Sequence, residues 1–474
     1  MSTSAAVQEL TAVQLLVAYR RCALSPVEAL DALLARTAAD DPAVNAFCLL
    51  DADRALDAAR ASEQRWQRGE PAGALDGVPV AVKDVFLTAG WPTRRGSRAV
   101  DAAGPWPDDA PAVAALRRHG AVIPGKTTTP EFGWKAVTDS PLQGVTRNPW
   151  DLAKTPGGSS GGSAAALVCG MAPLALGTDG GGSIRIPCSF CGLPGLKPSF
   201  GRVPLWPPSP FGALAHAGPM ARTVADLALL LGVLAEPDAR DWTALEPPDA
   251  PFPGALDGDL TGLRVAFSPD LGYVQVAPEV AALTAAAAHA FEQLGAHVEQ
   301  LDPGFGDPRR CFDVLWSAAA AKLVASLGDP PPDEVLDPGL LEIVRAARAS
   351  TALDYMEALH ERDALGLKMS LLHERWDLLL TPTVPIAPFD AGRDVPADSA
   401  DPGWPGWTPF TYPFNLTQQP AGTVPCGFTA DGLPVGLQIV GPRYADVRVL
   451  RAMAAFQDAH PQPTHTRPRG EVPA

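Results

Sequence analysis

Lysine is scarce in this chain. Seven lysines (Lys83, Lys126, Lys135, Lys154, Lys197, Lys322 and Lys368) stand against 30 arginines, so a lysine inside an apolar strand is conspicuous. Positive charge as a whole is short, with 37 basic against 53 acidic residues and a net charge of −16. An acidic body repels phosphate backbones, and no nucleic-acid partner is expected. Cysteine is present only as an odd, scattered set (Cys22, Cys48, Cys169, Cys188, Cys191, Cys311, Cys426), which excludes a disulfide-rich secreted framework and fits a reducing compartment. The longest mostly apolar run, Ala164 to Gly177, falls short of the roughly 18 residues that span a bilayer and is interrupted by Gly and Pro, so no membrane partner is expected. Met1 to Leu10 shows neither the basic start nor the apolar core of a signal peptide, and a cytoplasmic location is expected. None of the eight histidines presents itself as a general base. His360-Glu361-Arg362-Asp363 and His373-Glu374-Arg375 read as solvated charge runs, and no zinc pattern or other metal site occurs.

What is present is the composition of a globular chain: 474 residues, 46% hydrophobic and 19% charged. That length suggests about three domains by the usual rule, although one large α/β domain also reaches it. Proline (51) and glycine (44) imply many short connections. Thr11 to Arg21 reads as an amphipathic helix, Ser25-Pro26-Val27-Glu28 is a capping box that opens a second, and Asp51 to Arg68 keeps the first 70 residues helical. Valines at 78, 80 and 82 then switch to period two, predicting a strand over Gly77 to Asp84. Helix then strand recurs at Ala112–His119 and Ala121–Ile123, and again at Ser163–Met171 and Leu174–Thr178, which argues for a sheet covered by helices. Beyond a helix at Thr223–Ala235 and a Pro-rich joint at Glu236–Gly258, strands are expected at Arg264–Ser268, His297–Leu301, Leu378–Pro382, Thr423–Phe428 and Gly436–Val440. Helices are expected at Val280–Leu294, Asp313–Leu327, Leu353–Glu374 and Asp446–His460. No repeat appears, and one large domain is preferred.

Two Gly/Ser loops carry the densest chemical signal: Thr155-Pro156-Gly157-Gly158-Ser159-Ser160-Gly161-Gly162-Ser163 and Gly177-Thr178-Asp179-Gly180-Gly181-Gly182-Ser183-Ile184-Arg185. Such loops serve backbone that must turn sharply or approach a ligand, or they are merely flexible turns. A phosphate-binding P-loop is excluded because Lys-Ser/Thr does not follow the last glycine. Gly158 to Gly162 matches the letters of a nucleophile elbow, but Asn148-Pro149-Trp150-Asp151 before it is no strand. A serine without histidine can be activated by lysine. Lys83 ends an apolar strand, where burial disfavours its charged form; the alternative is a strand-end lysine paired with Asp84.

Gly77 to Asp84, the two Gly/Ser loops, and Cys191-Gly192-Leu193-Pro194-Gly195-Leu196-Lys197-Pro198 after them closely resemble the amidase signature family. The core resemblance runs from about residue 70 to 230, with weaker echoes in the N-terminal helices, in Leu379-Leu380-Thr381-Pro382-Thr383 and in Gly432 to Pro442. It implies one α/β domain with a central mixed sheet covered on both sides by helices. Its parts would be an N-terminal helical segment (1–70), a signature core (70–230), a variable helical pocket region (240–410) and C-terminal strands with a helix (411–465). It further implies a Ser-Ser-Lys triad: Ser183 as nucleophile, Ser159 as bridging serine on a cis peptide, Lys83 as base. Backbone N–H groups of Gly180, Gly181, Gly182 and Ser183 would form an oxyanion hole. Asp179 and Arg185 would hold the loop, and Ser160 would support the triad. Trp134 and Gly158 would touch substrate, with Thr138 and Asp139 in the segment lining the acyl pocket. Gly180 departs from the branched residue the family more often carries there. Cys188 and Cys191 form a lone C-x-x-C, read as structural.

The resemblance implies an amide hydrolase working through a seryl acyl-enzyme on a small-molecule substrate, without cofactor. Urethanase, aryl-acylamidase and esterase activities use the same carbonyl chemistry and stay open. The glutaminase component of the tRNA-dependent amidotransferase is disfavoured: its basic stretch is missing between Leu340 and Leu380, where Ala352-Leu353-Asp354-Tyr355-Met356 runs instead. A non-catalytic scaffold is disfavoured because all three triad positions are intact. Trp206–Ala217, Phe312–Ala325 and Trp404–Phe414 are expected to shape an apolar pocket, and the early helices offer a surface for a homodimer.

Overall fold

The computed structural model describes residues 7–247, 251–328 and 333–472. Among these lie strands β1 (Phe47–Leu50), β2 (Val80–Lys83), β3 (Gly125–Thr127), β4 (Asp139–Ser140), β5 (Gly144–Val145), β6 (Leu174–Asp179), β7 (Gly195–Lys197), β8 (His216–Ala221), β9 (Arg264–Phe267), β10 (His297–Gln300), β11 (Leu378–Pro382), β12 (Ala421–Phe428) and β13 (Pro434–Val440). All but the small β4–β5 ladder join one eleven-stranded sheet in the order β1-β3-β2-β6-β8-β7-β12-β13-β11-β9-β10. The sheet is mixed. Parallel ladders β3-β2-β6 and β11-β9-β10 lie towards its two ends, and the strands between them pair antiparallel.

Side chains alternate across a strand, and here both faces are buried. Val80, Val82, Leu174, Leu176, Leu378 and Leu380 face the cluster covered by the helices Val224–Leu234, Pro278–Gln293 and Asp446–Ala459. Their neighbours Ala81 and Ala175 face the helices Gly161–Val168 and Arg185–Cys191. Leu379 faces a third cluster built by the helices Arg309–Ala325, Pro338–Ala347 and Ala352–Arg375. Each fully buried Leu or Val contributes about 1.5–3 kcal/mol, so the short strands are held mainly by the layers above and below. Ser25 caps the helix Pro26–Val44 with the expected reciprocal box: its hydroxyl accepts the Glu28 N–H at 3.1 Å, and Glu28 accepts the Ser25 N–H at 2.8 Å.

The structure departs from the sequence pattern in specific places. The strand expected at Ala121–Ile123 is reduced to a single bridge, Pro79 to Val122; the paired segment begins after Pro124, which has no N–H to offer a ladder. The first 70 residues are not wholly helical, because β1 returns to pair with β3. β8, with Gly218-Pro219 at its centre, has the letters of a turn, yet it is buried along its length and pairs with all of β6. The helices Arg185–Cys191 and Pro338–Ala347 add to the expected set. His373 is no solvated charge: its Nδ1 lies 2.9 Å from the Trp376 carbonyl oxygen, and burial pushes its pKa down to about 4. Residues 1–6 and 248–250, within the Met1–Leu10 and Glu236–Gly258 readings, lie outside the described residues. No described helix is long and apolar enough to cross a membrane.

Where β1 crosses β3, a Cβ on Gly125 would overlap the carbonyl oxygen of Leu49, which is backbone and cannot step aside. Gly125→Ala is expected to lower stability by about 1–3 kcal/mol, read by urea unfolding. An unchanged midpoint would show that β1 can lift away freely.

Candidate active site

Lys83 ends β2 and Thr178 sits near the end of the adjacent parallel strand β6. Above them the loop Gly157–Ser160 runs into the helix Gly161–Val168, with the Gly158–Ser159 peptide cis. Gly158 has no room for a side chain, since a Cβ would press on the Val137 backbone. The Lys83 Nζ is enclosed by three hydroxyls: Ser159 Oγ at 2.7 Å, Ser160 Oγ at 2.9 Å and Thr178 Oγ1 at 2.9 Å. Among the described residues no carboxylate pairs with it. Asp84 is taken by Lys126 at 2.9 Å and by the Gln143 amide at 3.3 Å, so the strand-end pairing of Lys83 with Asp84 does not form. Burial drives the Lys83 pKa well below its ordinary value, with the Asp179 charge opposing.

Asp179 anchors the second loop. Burial works against its charge, yet Arg185, Lys197 and Asn415 hold its pKa well below the ordinary carboxylate range. Arg185 grips it through Nε and Nη2, each at 2.9 Å, and both side chains are completely buried. The remaining Arg185 donors reach the Thr411 carbonyl, Gln438 Oε1 and Asn415 Oδ1. The loop is thereby tied to segments more than 200 residues away. The Gly182 N–H donates to Asp179 Oδ1 at 2.7 Å, and Gly182 itself sits at φ +134°, which favours glycine. Gly182 is therefore removed from the expected set of oxyanion donors. The N–H groups of Gly180, Gly181 and Ser183 donate to no protein group among the described residues.

Ser159, Ser183, Thr178 and Gly180 open together into a cavity of about 480 Å³. Trp206 to Phe211 and Ala215 form one wall; Trp316, Lys322, Leu323 and Ser326 form another. Two of the three expected pocket stretches thus reach it. Trp404–Phe414 does not; Trp404 instead stacks edge-on behind Phe312 and Trp316. Trp134 and Gly158 are not lining residues. The Trp134 ring is buried against Gly339, with Lys135 over its face, and its carbonyl accepts from Trp316 Nε1. Thr138 and Asp139 also stay out of the cavity. The Thr138 hydroxyl donates to the Gly157 carbonyl and accepts the Gly161 N–H, fixing the serine loop, while Asp139 pairs with Lys135. Ser160 accepts from Lys83 and from the Thr178 N–H. Cys188 and Cys191 are free, buried thiols, and among the described residues no group of His, Cys, Asp or Glu could hold a metal.

The site also contains Thr178, Asn415 and Gln438, which sequence reasoning does not single out. Thr178 lies within the second Gly/Ser loop, and that position is its one signal. Asn415 and Gln438 are polar residues in otherwise apolar segments, legible only through their contacts.

This arrangement, serines over a buried lysine ringed by hydroxyls and beside backbone N–H groups without a protein partner among the described residues, suits a hydrolase that attacks carbonyl groups. The amidase family matches residues 28–450, and the chain belongs to it. It is 38% identical to an acylamidase of Rhodococcus erythropolis over 92% of this chain and 93% of that protein. It is 36% identical to a component of the glutamyl-tRNA(Gln) amidotransferase of Chloroflexus aurantiacus, over 92% and 93% respectively. Among solved structures it superposes on a bacterial aryl acylamidase of the amidase signature family with TM-score 0.90, 32% identity and 96% coverage of both chains. It superposes on 6-aminohexanoate cyclic dimer hydrolase with TM-score 0.88, 30% identity and 98% and 99% coverage. The chain is an amide-hydrolysing enzyme.

Removing Arg185 would strand the Asp179 carboxylate in the interior. Arg185→Leu is expected to cost about 3–5 kcal/mol in chemical unfolding. A loss below ~1 kcal/mol would mean that Asn415 and the loop N–H groups suffice to hold the charge.

Proposed function

We propose that Ser183 is the nucleophile, Ser159 the proton bridge and Lys83 the base of a carboxamide hydrolase with an apolar or aromatic substrate. The observation that carries this is the surroundings of Lys83: fully buried, ringed by three hydroxyls and, among the described residues, paired with no acid. A neutral amine has two N–H donors and one lone pair, three partners in all. The Ser160 O–H is directed to the Thr178 carbonyl at 3.2 Å, so Ser160 accepts from the amine, as does Thr178 Oγ1. The remaining lone pair of Nζ then accepts the Ser159 O–H. As Ser183 Oγ attacks the substrate carbonyl, its proton passes to Ser159, and the Ser159 proton passes to Lys83. Negative charge gathers on the carbonyl oxygen, where the N–H groups of Gly180, Gly181 and Ser183 are available to receive it; donors of this kind are worth about 3 kcal/mol each. The protonated lysine returns its proton through Ser159 to the leaving nitrogen, which departs as ammonia or an amine. Water then gives its proton through Ser159 to Lys83 as it attacks the acyl carbonyl, and that proton returns through Ser159 to Ser183 Oγ as the acid leaves.

The walls support the substrate class. Phe86, Phe132, Trp206, Phe211, Trp316 and Leu323 all face the cavity, and Phe211 stacks on Trp316 with ring centroids 4.0 Å apart. Such a wall accepts an aryl or alkyl group on the acyl or the amine side.

Ser183→Ala is expected to lower kcat at least about a thousandfold on an anilide, an aliphatic amide, a carbamate and an ester alike, with product amine and ammonia assayed. Wild-type cleavage of glutamine alone would favour the glutaminase reading instead. Because only the neutral amine can accept a proton, kcat/KM is expected to rise with pH through one ionisation far below the ~10.4 of a free lysine and then level off. A rise centred at the ordinary lysine value would remove Lys83 as the base.

A further inference from the structure

The cavity has a charge opposite to that of the molecule. The chain carries a net charge of −16, yet among the described residues no Asp or Glu lines the cavity, while two cations, Arg95 and Lys322, do. Lys322 lies on the helix Arg309–Ala325 at the edge of the cavity. Arg95 is half-buried, and its guanidinium makes no hydrogen bond or ion pair to a protein group among the described residues. The one acid felt by Arg95, Asp84, already has its two oxygens on Lys126 and Gln143. Burial penalises the Arg95 charge, which leaves a partly desolvated cation without a counter-ion.

The backbone holds Arg95 in that position. Arg95 sits at φ +54° and Phe132 at φ +52°, a left-handed conformation unusual for such side chains. The Phe132 N–H donates to the Arg95 carbonyl at 2.7 Å, joining the two. Ser97 locks the following turn onto Glu131 at 2.6 Å. Gly133, next in line, packs on the hydroxyl of Ser159, with its Cβ position 3.2 Å from Oγ. A backbone strained on both sides of one hydrogen bond, aiming an unpaired guanidinium into the cavity beside the triad, is a site built for a ligand group.

We propose that Arg95, seconded by Lys322 at the cavity mouth, is a specificity determinant that binds a carboxylate on the substrate, so that the preferred substrates are amides with an apolar body and one anionic group. This rests on the reading of the cavity as the amide-hydrolysing site. A planar guanidinium suits a carboxylate in bidentate contact, and the aromatic walls take the rest of the molecule.

The test uses two matched pairs of amides. Succinanilate against butyranilide places the charge on the acyl side; 4-acetamidobenzoate against 4-methylacetanilide places it on the amine side. In at least one pair the wild type is expected to favour the carboxylated member by about tenfold in kcat/KM, expressed mainly through KM. Arg95→Asn, chosen because Asn tolerates the left-handed backbone, is expected to bring that ratio close to one, and Lys322→Ala to reduce it about threefold. Equal or reversed preference of the wild type in both pairs overturns the proposal. So does an Arg95→Asn enzyme that loses rate on both members in proportion, leaving the ratio intact. Parallel assays with Ser183→Ala separate the two levels. Cleavage that survives Ser183→Ala refutes the site itself, whereas Ser183-dependent cleavage without charge preference refutes only the role of Arg95.

Discussion

The completely buried ion pair of Asp179 and Arg185 is the constraint around which the site is arranged. One carboxylate receives the guanidinium, the Asn415 amide and the N–H groups of Gly182 and Ile184, and thereby sets the path of the loop that ends in Ser183. Through Gln438 and the Thr411 carbonyl the same guanidinium binds the loop to β13 and to the turn before β12. A buried pair of this kind contributes little net stability, because desolvation offsets most of the Coulomb gain. What it contributes is a unique loop geometry, since any other arrangement would leave a charge stranded in the core. The two-faced hydrophobic sheet supplies the stability that makes this arrangement sustainable.

A short way from Asp179, the opposite solution is used for Lys83. Both groups are buried, but Asp179 is given a cation and stays charged, while Lys83 is given hydroxyls and is driven towards the neutral amine. Hydroxyls satisfy the hydrogen-bonding capacity of an amine without compensating a full charge. The contrast between these neighbours leaves a lysine ringed by hydroxyls behind the cavity-lining Ser159 and Thr178, and a loop fixed by its ion pair at Gly180 and Ser183. Lys126, equally buried, shows the alternative fate, with Asp84 beside it at 2.9 Å.

Much of this is legible in the sequence, and the reasons are local. Capping at Ser25, the period-two valines before Lys83 and the apolar runs of β6 and β11 are patterns a short window contains. The Gly/Ser loops point to Ser159 and Ser183 because glycine is tolerated at such density only where backbone must pass closely, as Gly158 passes the Val137 backbone. The departures are of another kind. The family resemblance suggests Trp134 for the cavity, but its ring is buried against Gly339, and its neighbours Phe132 and Gly133 line the space instead. The same resemblance suggests Gly182 as an oxyanion donor, but its N–H donates to Asp179. β8 escapes a local reading because Gly218 and Pro219 suggest a turn when taken alone, whereas its flanking strands supply the partners that hold it extended.

The sequence by itself determined the class of architecture, the family and the residues available for chemistry, since periodicity, capping and glycine spacing act over a few residues. Only the tertiary structure decided which of those residues meet. It brought Asn415 and Gln438 to Arg185 across more than 200 residues, and it tied the Arg95 backbone to Phe132 so that both line the cavity with Ser159. It also surrounded Lys83 with hydroxyls rather than with a paired acid. Burial and the choice of partner are properties of the packed interior, and no window of sequence contains them.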